Sequence, residues 1–270
     1  MREIVVRSIS GILYVLVVVF SMYASRELFM ILFLILGLQT LKEFKKLIHL
    51  KHFIPYLLLP ISLLLISYFY PDYPGDIILY SYLGITLLVC ILLAKDVQST
   101  KNSLLLKKQK YIPTMLYIIS GFVFLTLIPF SKGVFKPEII VGVFVLIWCN
   151  DTFAYIIGKS LGKNKLLERV SPKKTIEGFF GGLLGAVISS FIIFNVLDIY
   201  TLPVWISLAI IISVCGSIGD LVQSNYKRQA GVKDSGNVMP GHGGLYDRLD
   251  SAIYASPFIY AFLQLITYVS

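Results

Sequence analysis

The residues best suited to chemistry lie between Gly219 and Ser251. They include Asp220, Ser224, Lys227-Arg228, Lys233-Asp234, Pro240-Gly241-His242-Gly243-Gly244 and Asp247-Arg248-Leu249-Asp250. Glycines let backbone N–H groups close around an anion. Lysine and arginine neutralise phosphates, arginine through a bidentate fork. Carboxylates at Asp220 and Asp247 are hard oxygen donors suited to a cation such as magnesium. The combination indicates phosphate chemistry assisted by a divalent metal. No His-Glu-x-x-His pair and no cysteine cluster occurs, which argues against zinc, and no Gly-x-x-x-x-Gly-Lys-Ser/Thr loop occurs, which excludes a P-loop enzyme. His242 is suited to touching a phosphate, to acid or base work, or to ordering the glycine turn. Phosphoryl-type transfer from an anionic nucleophile needs little proton chemistry, which argues against the base role.

A second group lies upstream. Asn150-Asp151-Thr152-Phe153-Ala154-Tyr155 is followed by Gly158-Lys159, Gly162-Lys163 and Ser171-Pro172-Lys173-Lys174-Thr175-Ile176-Glu177-Gly178. Asp151 follows the apolar run Ile139 to Trp148, so it is expected within a membrane. A carboxylate there costs about 2.5–3.5 kcal/mol and faces an aqueous cavity or a partner. Tyr155, at i+4, shares its helix face; a helix-capping or salt-bridged Asp151 is the plainer alternative. Ser171 and Pro172 suit an N-cap and first helical turn. Lys173 and Lys174 beside a helix N-terminus would then form an anion site, or supply capping and interfacial charge alone. Ser213, Ser217, Asp220 and Ser224 are spaced 4, 3 and 4 apart, and Lys227 continues the stripe on one helix face. That face reads as a wet cavity wall or as a hydrogen-bonded helix seam.

These groups need elements to hold them. Of the 270 residues, 57% are hydrophobic and 14% charged, against roughly 25% charged in soluble domains. Apolar runs of spanning length predict an all-α, polytopic membrane protein with about nine spans: 8–24, 27–41, 54–70, 76–94, 112–130, 137–158, 176–197, 203–222 and 252–269. The first run is expected to be an uncleaved span, because Ser21-Met22-Tyr23-Ala24 is a poor cleavage site. With the N-terminus in the cytoplasm, 21 of the 24 basic residues fall on that side, and only Arg26, Lys132 and Lys136 fall opposite. The positive-inside rule supports this orientation. It also explains a net charge of +9 without nucleic acid. Lys45, Lys46, Lys107 and Lys108 read as orientation charges in contact with anionic lipid heads. Cys90, Cys149 and Cys215 sit in apolar runs and read as small buried hydrophobes. Residues 1–135 form an N-terminal group of about five spans and 136–270 a catalytic region of about four. Gly178, Gly181, Gly182, Gly185 and Ala186 predict close helix packing.

The stretch Ser224 to Asp250 resembles the C-terminal motif of the phosphatidate cytidylyltransferases, or CDP-diacylglycerol synthases. Its fixed positions are met by Ser224, Lys227, Arg228, Lys233, Asp234, Pro240, His242, Gly243, Gly244, Asp247, Arg248 and Asp250. Asn150-Asp151-x-x-Ala154-Tyr155 and Ser171 to Gly178 share the resemblance, which covers roughly residues 140–260. Tyr226 and Met239 stand where the family is usually aliphatic, and Gln223 where many members have Glu.

The resemblance implies transfer of CMP from CTP to phosphatidic acid, giving CDP-diacylglycerol and pyrophosphate, at the cytoplasmic face of the inner or plasma membrane. It implies magnesium at Asp220 and Asp247, with potassium as a second cation, and a homodimer. Catalytic roles fall on Asp151, Asp220, Lys227 and Asp247. Substrate contacts fall on Asn150, Ser171, Lys173, Lys174, Ser224, Arg228, Lys233, Gly241, His242, Gly243, Gly244 and Arg248. A related CTP-using membrane enzyme, such as a polyprenol kinase or an archaeal-type CDP-lipid synthase, stays open, although Asp247-Arg248-x-Asp250 favours the cytidylyltransferase. Intramembrane Asp151 and Asp220 alone would also permit an ion-coupled transporter. The clustering of polar residues at one membrane face argues against it.

Overall fold

The structure, a computed structural model, describes residues 2–69, 77–99, 109–238 and 243–269. Among them nine helical segments follow one another: α1 (Arg2–Ala24), α2 (Arg26–Leu47), α3 (Ile54–Tyr68), α4 (Ile77–Gln98), α5 (Tyr111–Leu127), α6 (Pro137–Ser160), α7 (Ile176–Val196), α8 (Leu202–Gln229) and α9 (Tyr246–Val269). Two short antiparallel hairpins interrupt them. Strand β1 (Phe130–Ser131) pairs with β2 (Val134–Phe135), and β3 (Lys165–Leu167) with β4 (Ser171–Thr175). Each expected span coincides with a helix, but only α4, α6, α7, α8 and α9 are long and apolar enough to cross a membrane. Segments α1, α3 and α5 are shorter apolar stretches, and α2 carries Arg26, Glu27, Lys42, Glu43, Lys45 and Lys46.

Local chemistry sets the helix ends. Ser25 alone separates α1 from α2, and its hydroxyl accepts from Leu28 N at 3.1 Å. Proline near the start of α6 and α8 supplies a pre-set φ where no N–H is needed. Pro257, inside α9, has no N–H for the carbonyl of Ile253, and Ser256 Oγ donates to that carbonyl at 3.0 Å instead.

Glycines decide how closely the site helices meet. The row on α7 lies against α6: a Cβ at Gly181 would reach 2.5 Å from Ile157 Cβ, and one at Gly182 would reach 2.8 Å from the Asn150 carbonyl oxygen. This row therefore packs within the chain. On α8, a Cβ at Gly219 would come 2.5 Å from Tyr254 Cβ and 2.8 Å from the Asp250 carbonyl oxygen, so α9 crosses α8 at backbone distance. The core runs through both halves of the chain. Phe44 of α2 packs edge-on against Tyr117, Tyr226 and Tyr246, with ring centroids 6.2, 4.9 and 5.7 Å apart. Cys90 and Cys215 are buried, and Cys149 is half-buried.

Candidate active site

Four elements converge on one cavity of about 780 Å³, within the usual range for a small-molecule site. The end of α6 contributes Asn150, Asp151, Tyr155 and Lys159. The β3–β4 hairpin contributes Lys165, Lys173 and Lys174, helix α8 contributes Ser217, Asp220, Gln223 and Lys227, and the start of α9 contributes Asp247, Arg248 and Asp250. The two polar stretches of the sequence, Asn150–Gly178 and Gly219–Ser251, therefore line one space. The hairpin supplies three lysines, and α8 and α9 supply Asp220, Asp247 and Asp250 together with Lys227 and Arg248.

The hairpin is where the expected local structure differs. Ser171 and Pro172 do not open α7; they form strand β4 with Lys173 and Lys174. The N-cap is Thr175, whose hydroxyl accepts from Gly178 N at 3.1 Å. Hydrogen bonding to β3 takes Ser171–Thr175 out of the helix, so the two lysines are presented on a strand. The hairpin is tied at both ends. Glu177 accepts from Lys163 N at 3.0 Å and from Asn164 Nδ2 at 2.7 Å. Arg169, in the turn, donates to the carbonyls of Val97 and Ser99 at the end of α4, at 2.7 and 2.9 Å.

Helices reach further into the 219–251 stretch than the expected spans 203–222 and 252–269. Helix α8 continues to Gln229, and α9 begins at Tyr246. Asp220, Ser224 and Lys227 thus share one helix, and Asp247, Arg248 and Asp250 sit on the first turns of another. Only Ser217 and Asp220 of the four-residue stripe face the cavity. Ser213 is buried and donates to the Ala209 carbonyl of its own helix, and Ser224 is also buried.

Each expected metal carboxylate carries an ammonium group. Lys174 pairs with Asp220. Lys227 Nζ lies 2.7 Å from Asp247 Oδ1, with both side chains largely buried. Asp247 Oδ1 also accepts from Gln223 Nε2 at 2.9 Å. Asp247 Oδ2 accepts from Ser235 N and Gly244 N at 2.9 and 3.0 Å, with Ser235 Oγ 3.0 Å away. These donors fill about the four acceptor sites a carboxylate offers. Asp247 therefore holds Ser235 beside Gly244 as well as facing the cavity. Asp151, Asp220 and Asp250 are near enough for their charges to interact, and Lys174 acts on both Asp151 and Asp250. Arg248 also acts on Asp151, and the oxygens of these three carboxylates suit a hard cation. No three His, Cys, Asp or Glu side chains among the described residues are already gathered tightly enough to enclose an ion.

Other expected contacts fall outside the cavity. Ser171 and Lys233 do not line it. Arg228 Nε donates to the Val170 carbonyl at 3.3 Å, which fastens the hairpin turn to α8. Gly243 and Gly244 lie beside Asp247 and Ser235 and not on the cavity wall. Pro240, Gly241, His242 and Met239 lie outside the described residues. Lys45 does not face lipid heads: it is buried, donates to the His52 carbonyl at 2.5 Å and lies 3.8 Å from the centre of the Tyr56 ring. Lys46 is exposed, and Lys107 and Lys108 fall outside the described residues. Tyr226, the bulky departure, fills the aromatic cluster around Phe44.

The family model of the cytidylyltransferase family matches residues 5–266. The chain belongs to the cytidylyltransferase family. Proteins named phosphatidate cytidylyltransferase are similar to it over 118 residues, with 47% identity in Staphylococcus haemolyticus (strain JCSC1435) and Staphylococcus aureus (strain COL) and 45% in Staphylococcus epidermidis (strain ATCC 12228 / FDA PCI 1200). The aligned stretch spans 43% of this chain and 45% of each relative, so less than half of each chain is compared.

Two groups of this cytidylyltransferase-family site have no clear signal in the sequence. Lys165 looks like any other loop lysine. Glu43, on α2, accepts from Leu245 N and Tyr246 N at 3.1 and 2.9 Å. Its one available sign was a lone acid among Lys42, Lys45 and Lys46.

Proposed function

We propose that this chain transfers the CMP group of CTP to phosphatidic acid, giving CDP-diacylglycerol and pyrophosphate. The observation that carries the reading is that one cavity gathers Lys159, Lys165, Lys173, Lys174, Lys227 and Arg248 with Asp151, Asp220, Asp247 and Asp250. Both substrates are polyanions, so their approach needs cations. Membership of the cytidylyltransferase family and the names of the similar proteins point to the same chemistry.

In this reading a phosphatidate phosphate oxygen attacks the α-phosphorus of CTP. The bond from that phosphorus to the β-phosphate bridge breaks, and pyrophosphate leaves. The lysines of the hairpin, with Lys227 and Arg248, hold the phosphates of both reactants. Asn150 and Gln223 offer amides for orientation. Asp220 and Asp247 would hold magnesium, with Asp151 and Asp250 beside them and potassium as a second cation. A bound divalent cation supplies charge neutralisation at the transferring phosphorus. The ammonium groups of Lys174 and Lys227, which now neutralise these carboxylates, are then available to phosphate. The nucleophile is already anionic, so no general base is required.

The site faces the cytoplasm, where CTP is dissolved, and the lipid arrives from the bilayer. The five long apolar helices cross the membrane with the shorter segments packed among them, the N-terminus lies inside as the charge split of the loops favours, and two copies form a dimer. The deciding assay uses purified protein in detergent with labelled CTP, phosphatidate and magnesium. Release of pyrophosphate with formation of CDP-lipid is expected; absence of both products sinks the reading.

A further inference from the structure

Glu43 lies on α2, far in sequence from every residue of the cavity, and is 4% exposed. Its Oε2 accepts from Ser235 Oγ at 2.8 Å and Tyr246 N at 2.9 Å. Its Oε1 accepts from Leu245 N at 3.1 Å and Gln39 Nε2 at 3.3 Å. Neither salt bridge found among the described residues involves it. A buried carboxylate without a cationic partner is a costly way to hold a loop. What it provides is acceptance from both sides at once, and charge-assisted bonds to N–H groups are shorter and stronger than neutral ones. Leu245 N and Tyr246 N belong to the start of α9, where N–H groups have no helical partner and negative charge is favoured.

The backbone is shaped to this carboxylate. A Cβ at Gly236 would come 2.7 Å from Glu43 Oε1, and one at Gly244 would collide with Glu43 Oε2 and Ser235 Oγ. While its hydroxyl donates to Glu43, Ser235 donates its backbone N–H to Asp247 Oδ2 at 2.9 Å. One serine therefore links the carboxylate of α2 to the carboxylate at the start of α9.

We propose that Glu43 is a positioning residue for the reaction. Through Ser235, Leu245 and Tyr246 it sets the first turn of α9, and so the placement of Asp247, Arg248 and Asp250 in the cavity. The inference rests on the reading of that cavity as a CMP-transfer site.

The test uses the full chain in detergent and two variants, Glu43→Gln and Ser235→Ala. Glutamine keeps the size but has one acceptor oxygen, so an amide N–H would face either Leu245 N or the Tyr246 N–Ser235 pair. Misplacement of about 1 Å lowers turnover by about 10²-fold, and that is the fall in kcat expected for Glu43→Gln. The KM for CTP should stay within about threefold, since the hairpin lysines are untouched. Ser235→Ala removes one donor of four and should lower kcat by about 3–10-fold. Amide hydrogen exchange at Leu245 and Tyr246 should rise by at least about tenfold in Glu43→Gln. A merely structural role would lower thermal stability and leave kcat per folded molecule alone. A kcat of Glu43→Gln within about twofold of wild type, or unchanged exchange at Leu245 and Tyr246, overturns the proposal. If Glu43→Gln does not fold, Ser235→Ala decides, and a kcat within about twofold of wild type overturns the proposal. Turnover of the wild type tests the reaction separately. If it is absent, the functional reading falls, while the exchange measurement still judges the clamp.

Discussion

Lys227 Nζ lies 2.7 Å from Asp247 Oδ1, joining the polar end of α8 to the first turn of α9 across a gap of 20 residues. The same carboxylate receives the backbone of Ser235 and Gly244. Asp247 therefore holds Ser235 beside Gly244 and lines a cavity with one set of atoms. Asp247→Asn should abolish detectable turnover and also lower stability. Removing one partner of a largely buried ion pair costs about 3–5 kcal/mol. Turnover and chemical or thermal unfolding in detergent, measured together, check both halves. Normal turnover would remove Asp247 from the reaction.

Asp220 separates function from stability more cleanly. Its ion pair with Lys174 is about one-third exposed on the carboxylate side, where such pairs contribute no more than about 1 kcal/mol. Asp220→Asn should leave the unfolding midpoint nearly unchanged, reduce turnover by at least about 10²-fold and raise the magnesium concentration needed for half-activity. Unchanged magnesium dependence would remove Asp220 as a metal ligand.

Gly219 and Gly84 make a matched pair of glycine tests. A Cβ at Gly219 meets Tyr254 and the Asp250 carbonyl, whereas one at Gly84 meets nothing within 4 Å. Gly219→Ala should push α9 from α8, displace Asp250 and lower kcat by about tenfold or more. Gly84→Ala should leave kcat and KM as they are. Steady-state kinetics on both variants is sufficient.

Arg169 ties the hairpin turn to the end of α4. Arg169→Ala frees the strand that carries Lys173 and Lys174 without touching the cavity wall. The expected result is a KM for CTP raised by about tenfold, with kcat changed by less than about threefold. The opposite split would mean that the hairpin acts on the chemical step.

Orientation is tested by an accessible cysteine. Gly236 is unsuitable, because any side chain there meets Glu43. Lys233 is exposed, and Lys233→Cys in a background with Cys149→Ser leaves Cys90 and Cys215 buried. An impermeant thiol reagent should label it from the cytoplasmic side only. Labelling from outside would overturn the orientation.

Much was legible from local chemistry. Long apolar runs can satisfy their backbone only as helices in a bilayer, so the helical character follows directly from composition. The spacing of Ser217, Asp220 and Lys227 survives as one cavity-facing helix stripe, because helical period is a local property. The clustering of glycine, lysine and aspartate marked residues 219–251 as chemical for the same reason. The helix ends were less legible. Ser171 and Pro172 have the composition of a helix start, yet pairing with Lys165–Leu167 draws them into a strand. The last span was expected to begin at residue 252, yet tertiary donors at Ser235 and Gly244 and the acceptor Glu43 let α9 begin at Tyr246.

The residue types and their short-range spacing thus established a helical membrane chain and the kind of ligand it is equipped to meet. Folding decided which charges face one another. Lys174 meets Asp220, Lys227 meets Asp247, Arg228 turns away to a carbonyl, and Glu43 reaches 203 residues along the chain to Tyr246. Such pairings depend on where α2, α8, α9 and the hairpin pack. The spaced glycine row on α7 marked its close approach to α6 in advance, but the close approach of α8 to α9 at the single Gly219 belongs to no such row.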